Sequence, residues 1–201
     1  MKRTAFVYKI HFELDRWQSL RVVEPRLEAN GDLLLNGRKR KNAWVPPRVE
    51  VEDVEKEKGD LYWMPPNTLV VRPRAKKLFE EDYYFDAEYL PLEFDEEELY
   101  ALNFTGCFAC LNREKSDLDI NPENGEVTGI KKYVFYPHRF SFTTVFKIPE
   151  LNGLETFCYE GIKDENQEFR FRVKQCLIRG LHFEKVFSFP SLAVYRDHQL
   201  R

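Results

Sequence analysis

Short runs of alternating or continuous apolar residues, separated by turn-forming residues, dominate this chain. The first run, residues 5–12, is rich in β-branched and aromatic side chains and predicts an opening strand. Residues 100–111, 130–136 and 143–148 have the same character and predict three strands that pair in one antiparallel or mixed sheet. Residues 181–187 predict a closing strand. The pattern therefore predicts more strand than helix.

Helical spacing is confined to two segments. After Pro73, residues 74–82 contain good helix formers and predict a short helix. Further along, Asp164 and Gln167 have the spacing of a capping box, and Gly180 is the expected C-cap. The apolar residues at helical spacing between them are Phe169, Val173, Cys176 and Leu177. Together these elements predict an α+β fold, mainly antiparallel or mixed sheet with a few short helices.

A weak boundary falls near residue 60, where a highly charged stretch ends. Residues 1–59 are expected to supply N-terminal strands and loops that pack on the main domain, including a short strand at residues 33–35 between two Asn-Gly pairs. Residues 60–201 are expected to form the main α+β domain. A chain of 201 residues, 43% hydrophobic and 15% aromatic, has enough apolar surface for one large core.

Charge and hydropathy narrow the choice of partner and compartment. The net charge is −3, so no nucleic acid is expected as the main partner. The apolar run near Met1 is broken too early for a signal peptide, and no window approaches the roughly 18 apolar residues of a membrane span. We therefore expect a cytoplasmic protein with no membrane contact, whose four cysteines remain reduced thiols.

The best candidate for metal chemistry is the CxxC motif of Cys107 and Cys110. On a strand, residues three apart face opposite sides of the sheet, so these thiols cannot easily converge on one ion. We interpret the cysteines as small buried hydrophobic residues, with a zinc site as the alternative. The histidines lie in no recognised nucleophile context, so we expect no catalytic residue, no metal and no cofactor. They are His11, His138, His182 and His198.

Two basic clusters, residues 38–41 and 72–77, lie near Trp44 and Trp63 in the sequence. Such clusters could contact phosphate while the indole rings stack on bases. Because the whole chain is slightly negative, solvated loops are the preferred interpretation. A nucleic-acid-binding module stays open as an alternative.

The most unusual composition lies between residues 80 and 98, where ten acidic residues occur without a lysine or arginine and are interleaved with aromatic residues. An ordinary acidic face with its aromatic side chains turned into the core explains this pattern. A contact surface for a basic partner explains it about as well, because acidic groups steer such a partner and aromatic side chains hold it. The candidate contact residues are Tyr83, Tyr84, Asp86, Glu88, Tyr89, Glu96, Glu97 and Glu98.

The C-terminal part also resembles a known family. Four short motifs carry the resemblance, in order and with matching spacing over about residues 60–188: residues 100–105 (YALNFT), 131–135 (KKYVF), 145–150 (VFKIPE) and 180–184 (GLHFE). They look like the eleventh immunity-protein family of bacterial polymorphic toxin systems. The chain departs from that pattern at residues 107–110, CFAC, and its first 60 residues lie largely outside it.

The resemblance implies an α+β protein that is encoded beside a toxin and neutralises it by tight binding in the cytoplasm of the producing cell. It brings no catalytic residues, and it leaves open which toxin is bound. The expected partner is therefore a cognate protein toxin. An enzyme that reverses a toxin's modification is the main rival, and a zinc- or nucleic-acid-binding module is the second.

Overall fold

A computed structural model describes residues 4–23, 35–81, 86–140, 143–161 and 165–191. These residues form twelve strands and two α-helices, and the predicted α+β fold class is confirmed. The strands are β1 Thr4–Phe12, β2 Leu20–Val22, β3 Val49–Val51, β4 Leu61–Met64, β5 Thr68–Val71, β6 Ala87–Leu92, β7 Leu99–Phe104, β8 Asp117–Ile120, β9 Val127–Lys132, β10 Val145–Lys147, β11 Thr156–Glu160 and β12 Leu181–Pro190. The helices are α1 Pro73–Glu80 and α2 Phe169–Gln175.

The strands pair antiparallel in two large and two small sheets. One large sheet has the order β10-β11-β1-β12 and the other has the order β4-β5-β7-β6. The small sheets are β2-β3 and β8-β9. Strand β1, from the N-terminal region, lies between the C-terminal strands β11 and β12. Residues on both sides of the boundary predicted near residue 60 therefore share one hydrogen-bonded sheet.

Strand β1 shows how the sequence builds the core. Side chains alternate across a strand, so its two faces meet different surroundings. Ile10 and Phe12 pack in a core cluster with residues of β4, β5, β7 and α2. Ala5 and Val7 pack in a second cluster, where the rings of Phe146 and another phenylalanine stack 5.6 Å apart. Because both faces of β1 are buried, its sequence is nearly continuous in apolar residues.

The opening strand, the helix after Pro73 and the closing strand are confirmed in β1, α1 and β12. The prediction that residues 100–111, 130–136 and 143–148 pair in one sheet is wrong, because the corresponding strands β7, β9 and β10 lie in three different sheets. Among the described residues, only isolated bridges join the three segments, between residues 107 and 147 and between residues 111 and 135. Each pairs with a neighbour close in the chain: β7 with β6, β9 with β8, and β10 with β11.

Two predicted elements are shorter in the structure. Strand β7 ends at Phe104, because the chain then crosses β10, where the Gly106 carbonyl accepts the N–H of Lys147 at 2.7 Å. Helix α2 ends at Gln175, so Gly180 is not its C-cap. Asp164, the predicted start of the capping box, lies outside the described residues, as do Leu33 and Leu34 of the predicted short strand.

A buried lysine ties three segments together. Lys147 is 2% exposed, and its Nζ donates to the carbonyl oxygens of Leu35 at 2.6 Å and Gly153 at 2.9 Å. Desolvation by burial lowers the pKa of Lys147 to about 8. The buried ammonium therefore destabilises the fold at neutral pH relative to the same lysine uncharged.

This lysine predicts a specific pH dependence. Between pH 8 and the ordinary lysine pKa of about 10.4, the unfolded chain binds a proton that the folded chain has released, so stability should rise with pH in this window. The free energy of unfolding of the native chain, minus that of Lys147→Met, should therefore increase from pH 8 to pH 10 in urea titrations. A constant difference would show that Lys147 keeps its ordinary pKa in the folded state.

Candidate functional site

Several of the acidic residues predicted to contact a partner lie in the turn between β6 and β7, residues 93–98. Two backbone hydrogen bonds of 2.9 Å hold this turn beside the segment that enters β3: Val49 N–H to the Glu93 carbonyl, and Glu93 N–H to the Pro47 carbonyl. The turn therefore lies next to residues 50–57, which follow in the chain. The two segments are far apart in sequence and adjacent in space.

Residues 50–57 are as acidic as the turn. The two segments together contain ten carboxylates and one lysine, Lys56. The sequence pattern of residues 49–58 predicts only a charged stretch before the boundary near residue 60. The alternation of valine and glutamate from Val49 to Glu52 was the available signal, because it predicts a strand with one face in the core and one acidic face in water.

A concave surface that encloses a volume of about 310 Å³ lies between the two segments. We call its apolar lining residues the floor and its carboxylates the rim; among the floor residues, Val54 is 72% exposed. We call this surface the acidic groove. It is lined by Val23, Arg48, Val49, Glu50, Val51, Val54, Phe94, Asp95 and Glu96. An apolar floor within an acidic rim suits a partner that brings an apolar side chain flanked by lysine or arginine.

Nearby cations neutralise only part of this charge. Arg21 pairs with Glu50, Arg48 with Asp95 at 2.7 Å, and Lys58 approaches Glu96 at 3.6 Å; these are surface pairs of little strength. Across the described ranges, no cation forms an ion pair with four further carboxylates of the two segments. One of them, Glu98, accepts a hydrogen bond from a tyrosine hydroxyl, and the other three accept no side-chain hydrogen bond. These are Glu52, Glu55 and Glu93. These three residues do not line the groove, but they belong to the two segments that border it and add to a negative field that attracts basic surfaces.

Of the predicted contact residues, three lie in the turn, and they differ in exposure. Glu96 has a side chain that is 65% exposed, at the rim of the groove. Glu97 is 18% exposed, and its two carboxylate oxygens share the N–H of Arg72 Nε, at 2.9 and 3.0 Å. Glu98 accepts a hydrogen bond from the Tyr100 hydroxyl at 3.0 Å. Glu96 is therefore the member of this set best placed for a partner, whereas Glu97 holds the turn.

Three other predicted residues lie toward the opposite end of β6, a distance of about 17 Å along the strand. Asp86 is exposed, and half-buried Tyr89 has the Lys76 ammonium 5.3 Å from its ring centre. Glu88 accepts the backbone N–H groups of residues 40 and 41 at 2.7 and 3.2 Å, and a hydrogen bond from Asn103 at 2.9 Å. Tyr83 and Tyr84 lie outside the described residues. The predicted contact residues that the structure describes therefore lie in two separate places, the turn and residues 86–89 at the start of β6.

Glu88 is expected to organise the basic turn at residues 38–41. Removing its carboxylate in Glu88→Ala leaves two backbone donors without this acceptor, which costs about 1–2 kcal/mol locally. The turn should then open roughly 5–30 times more often, and trypsin should cleave there correspondingly faster. Glu93→Ala, which removes no side-chain hydrogen bond among the described residues, is the matched control and should leave cleavage of this turn unchanged.

All four cysteines are free thiols. Cys107 is exposed and Cys110 is buried, and burial raises the pKa of the Cys110 thiol to about 12. Desolvation also raises the pKa of Cys107, so neither thiol is activated as a nucleophile. Among the described residues, no group of three or more His, Cys, Asp or Glu side chains is arranged to hold a metal ion.

None of the histidines that the structure describes lines the acidic groove. His11 Nε2 and Glu184 Oε2 are 2.9 Å apart on the outer face of β1 and β12, and the ring of His182 lies 6.2 Å from that of His11. His138 packs near Tyr136. His198 lies outside the described residues.

A scan against models of known protein families found no match to this chain, and a search of curated proteins found no significant relative. Within the ranges that the structure describes, no helix is long and apolar enough to cross a membrane.

Proposed function

We propose that this protein is an immunity protein, which neutralises a cognate bacterial toxin in the cytoplasm of the producing cell by binding it directly. The observation that carries the proposal is the acidic groove, with its exposed apolar floor and its surplus of carboxylates. The ordered sequence motifs that resemble an immunity-protein family add support. The toxin surface that fits the groove is basic and presents an apolar side chain.

The two parts of the groove contribute to binding in different ways. Carboxylates at the rim act over several ångströms and accelerate the encounter with a positive surface. Val54 and Phe94 supply apolar area that loses water only after docking, so they slow dissociation. Fast association and slow dissociation together suit a protein that must capture a toxin before the toxin acts.

None of the residues that carry the family resemblance lines the groove. Residues 100–105 and 145–150 include β7 and β10, whereas residues 131–135 and 180–184 include the end of β9 and the start of β12. Most of them are core or sheet positions. Under the proposal, these motifs specify the scaffold, and residues 50–57 with 93–98 specify the toxin.

Co-expression with the product of the adjacent gene tests this function. Rescue of growth together with co-purification of a defined complex supports a binding antitoxin. Rescue without a complex favours an enzyme that reverses the toxin's modification. Failure to rescue, with both proteins present in soluble form, contradicts the proposal for that gene pair.

A further inference from the structure

One residue at the end of α2 adopts a backbone conformation that is unfavourable for its residue type. The N–H of Leu177 bonds to the Lys174 carbonyl at 3.1 Å, and the N–H of Ile178 bonds to the Val173 carbonyl at 3.0 Å. This pair of bonds is the Schellman motif, in which the residue after the C-cap adopts a left-handed conformation and is usually glycine. Here that residue is Leu177, with φ of 53°. Its Cβ makes this conformation unfavourable.

Packing of the Leu177 side chain does not offset the free-energy cost of this backbone conformation. Its side chain is 76% exposed, the largest exposure among the big apolar residues of the described ranges, whereas Ile178 behind it is 7% exposed and Val173 is 3% exposed. A leucine that is strained in its backbone and exposed in its side chain does not stabilise the isolated chain. Residues that oppose stability in this way are found preferentially where binding requires them.

Cations surround this leucine. Arg74 donates from Nη2 to the Cys176 carbonyl at 2.7 Å, and the side chains of Lys174 and Arg179 are exposed on either side in the sequence. We call this surface the Leu177 corner, defined as Arg74, Lys174, Leu177 and Arg179. An apolar side chain flanked by positive groups is the chemistry that the acidic groove accepts.

Contacts through residues 58–60 connect the corner to the groove. Arg179 and Arg74 both contact Asp60, at 3.5 and 2.7 Å. Two residues before Asp60, Lys58 lies 3.6 Å from Glu96 at the rim of the groove. When two complementary patches are adjacent, a two-fold axis between two copies allows both contacts to form at once and closes the assembly.

From these observations we infer that the chain forms a two-fold dimer, in which the Leu177 corner of each copy docks in the acidic groove of the other. Leu177 contacts Val54 and Phe94 of the second copy, and Lys174, which has no ion pair among the described residues, meets carboxylates of the groove such as Glu96. Because this dimer covers the groove, it excludes the toxin complex proposed above. The dimer itself does not depend on that function.

Sedimentation equilibrium of the purified chain, over a range of concentrations, tests the inference without any toxin. The native chain is expected to dimerise, more strongly at low than at high salt. Leu177→Gly is expected to raise the dimer dissociation constant roughly tenfold or more, and to raise the denaturation midpoint of the monomer. Ile120→Ala, which truncates another exposed apolar residue, in β8, is the control and should dimerise normally.

A charge exchange identifies the contact. Lys174→Glu and Glu96→Lys should each dimerise poorly alone, and an equimolar mixture of the two should form a mixed dimer. A native chain that sediments as a monomer at all concentrations overturns the inference, as does a Leu177→Gly chain that dimerises like the native one. Since no toxin is present, either negative result leaves the proposed function intact.

Discussion

Asp60→Ala is expected to lower the free energy of unfolding by about 3 kcal/mol, because it removes the shared acceptor of three parts of the chain. The Asp60 carboxylate is 5% exposed. It accepts Nη1 of Arg74, in α1, at 2.7 Å and the backbone N–H of Arg179, between α2 and β12, at 2.9 Å. Without Asp60, that N–H loses a buried acceptor, and two guanidinium groups, on side chains that are each 54% exposed, lose their ion-pair partner.

Asp53→Ala is the matched control. Asp53 accepts a hydrogen bond from Ser19 Oγ at 2.6 Å and pairs with Lys56 at 3.0 Å, but its side chain is 27% exposed. Water can replace the lost contacts there, so the stability should change much less. Urea denaturation of the two variants measures the difference. If both lose the same stability, the proposed role of Asp60 in joining these segments is wrong.

The effect of Asp60 should also depend on pH. Burial alone raises the pKa of its carboxyl, but the Arg179 N–H and the Arg74 guanidinium lower it by more, so the net pKa lies below the ordinary value. A carboxyl with a depressed folded-state pKa stabilises the protein fully above its unfolded pKa of about 3.9, and this stabilisation is lost as the pH falls through the folded-state value. The difference between native and Asp60→Ala protein should therefore be full at pH 7 and smaller at pH 3.

Reversing the three unpaired carboxylates of the groove segments is expected to weaken toxin binding by roughly 100-fold or more at low salt, mainly through slower association. The variant is Glu52→Lys, Glu55→Lys and Glu93→Lys. These residues have no ion pair among the described residues, so their replacement breaks none of the contacts that hold the turn. Glu97 is left unchanged, because its contact with Arg72 is structural.

A second triple variant controls for net charge. Glu114→Lys, Glu123→Lys and Glu126→Lys change the charge equally on exposed residues in and next to the β8–β9 hairpin. Stopped-flow association rates with the toxin, measured at several salt concentrations, separate the two variants. The loss should be specific to the groove variant and should shrink as salt rises. Equal losses in both variants would mean that only the total charge matters.

The sequence predicted well those elements that depend on local pattern. Strands β1 and β12 are long apolar runs, and α1 begins at Pro73, which favours a first helical position. Sheet partners depend on distant segments, and the apolar runs carry no information about which of them meet. For this reason the sequence placed β7, β9 and β10 together, whereas the structure separates them.

The site shows the same division. The acidic run at residues 80–98 was visible as composition, but sequence could not show that Glu88 holds a neighbouring turn or that Glu97 is tied to Arg72 and Lys58. Nor could it show that residues 50–57 complete the groove, because β3 reaches the turn through backbone hydrogen bonds to Glu93. Backbone contacts of this kind leave no mark in side-chain composition.

Under the proposed function, this protein inhibits a toxin by stoichiometric binding at the acidic groove. Titrating the activity of the adjacent-gene toxin with purified native protein tests it most directly. Toxin activity is expected to fall in proportion to the added protein and to reach its minimum at about one protein molecule per toxin molecule. The Glu52, Glu55 and Glu93 triple variant is expected to inhibit poorly at that ratio. Complete inactivation by a small fraction of that amount, increasing with time, would contradict the account and identify an enzyme.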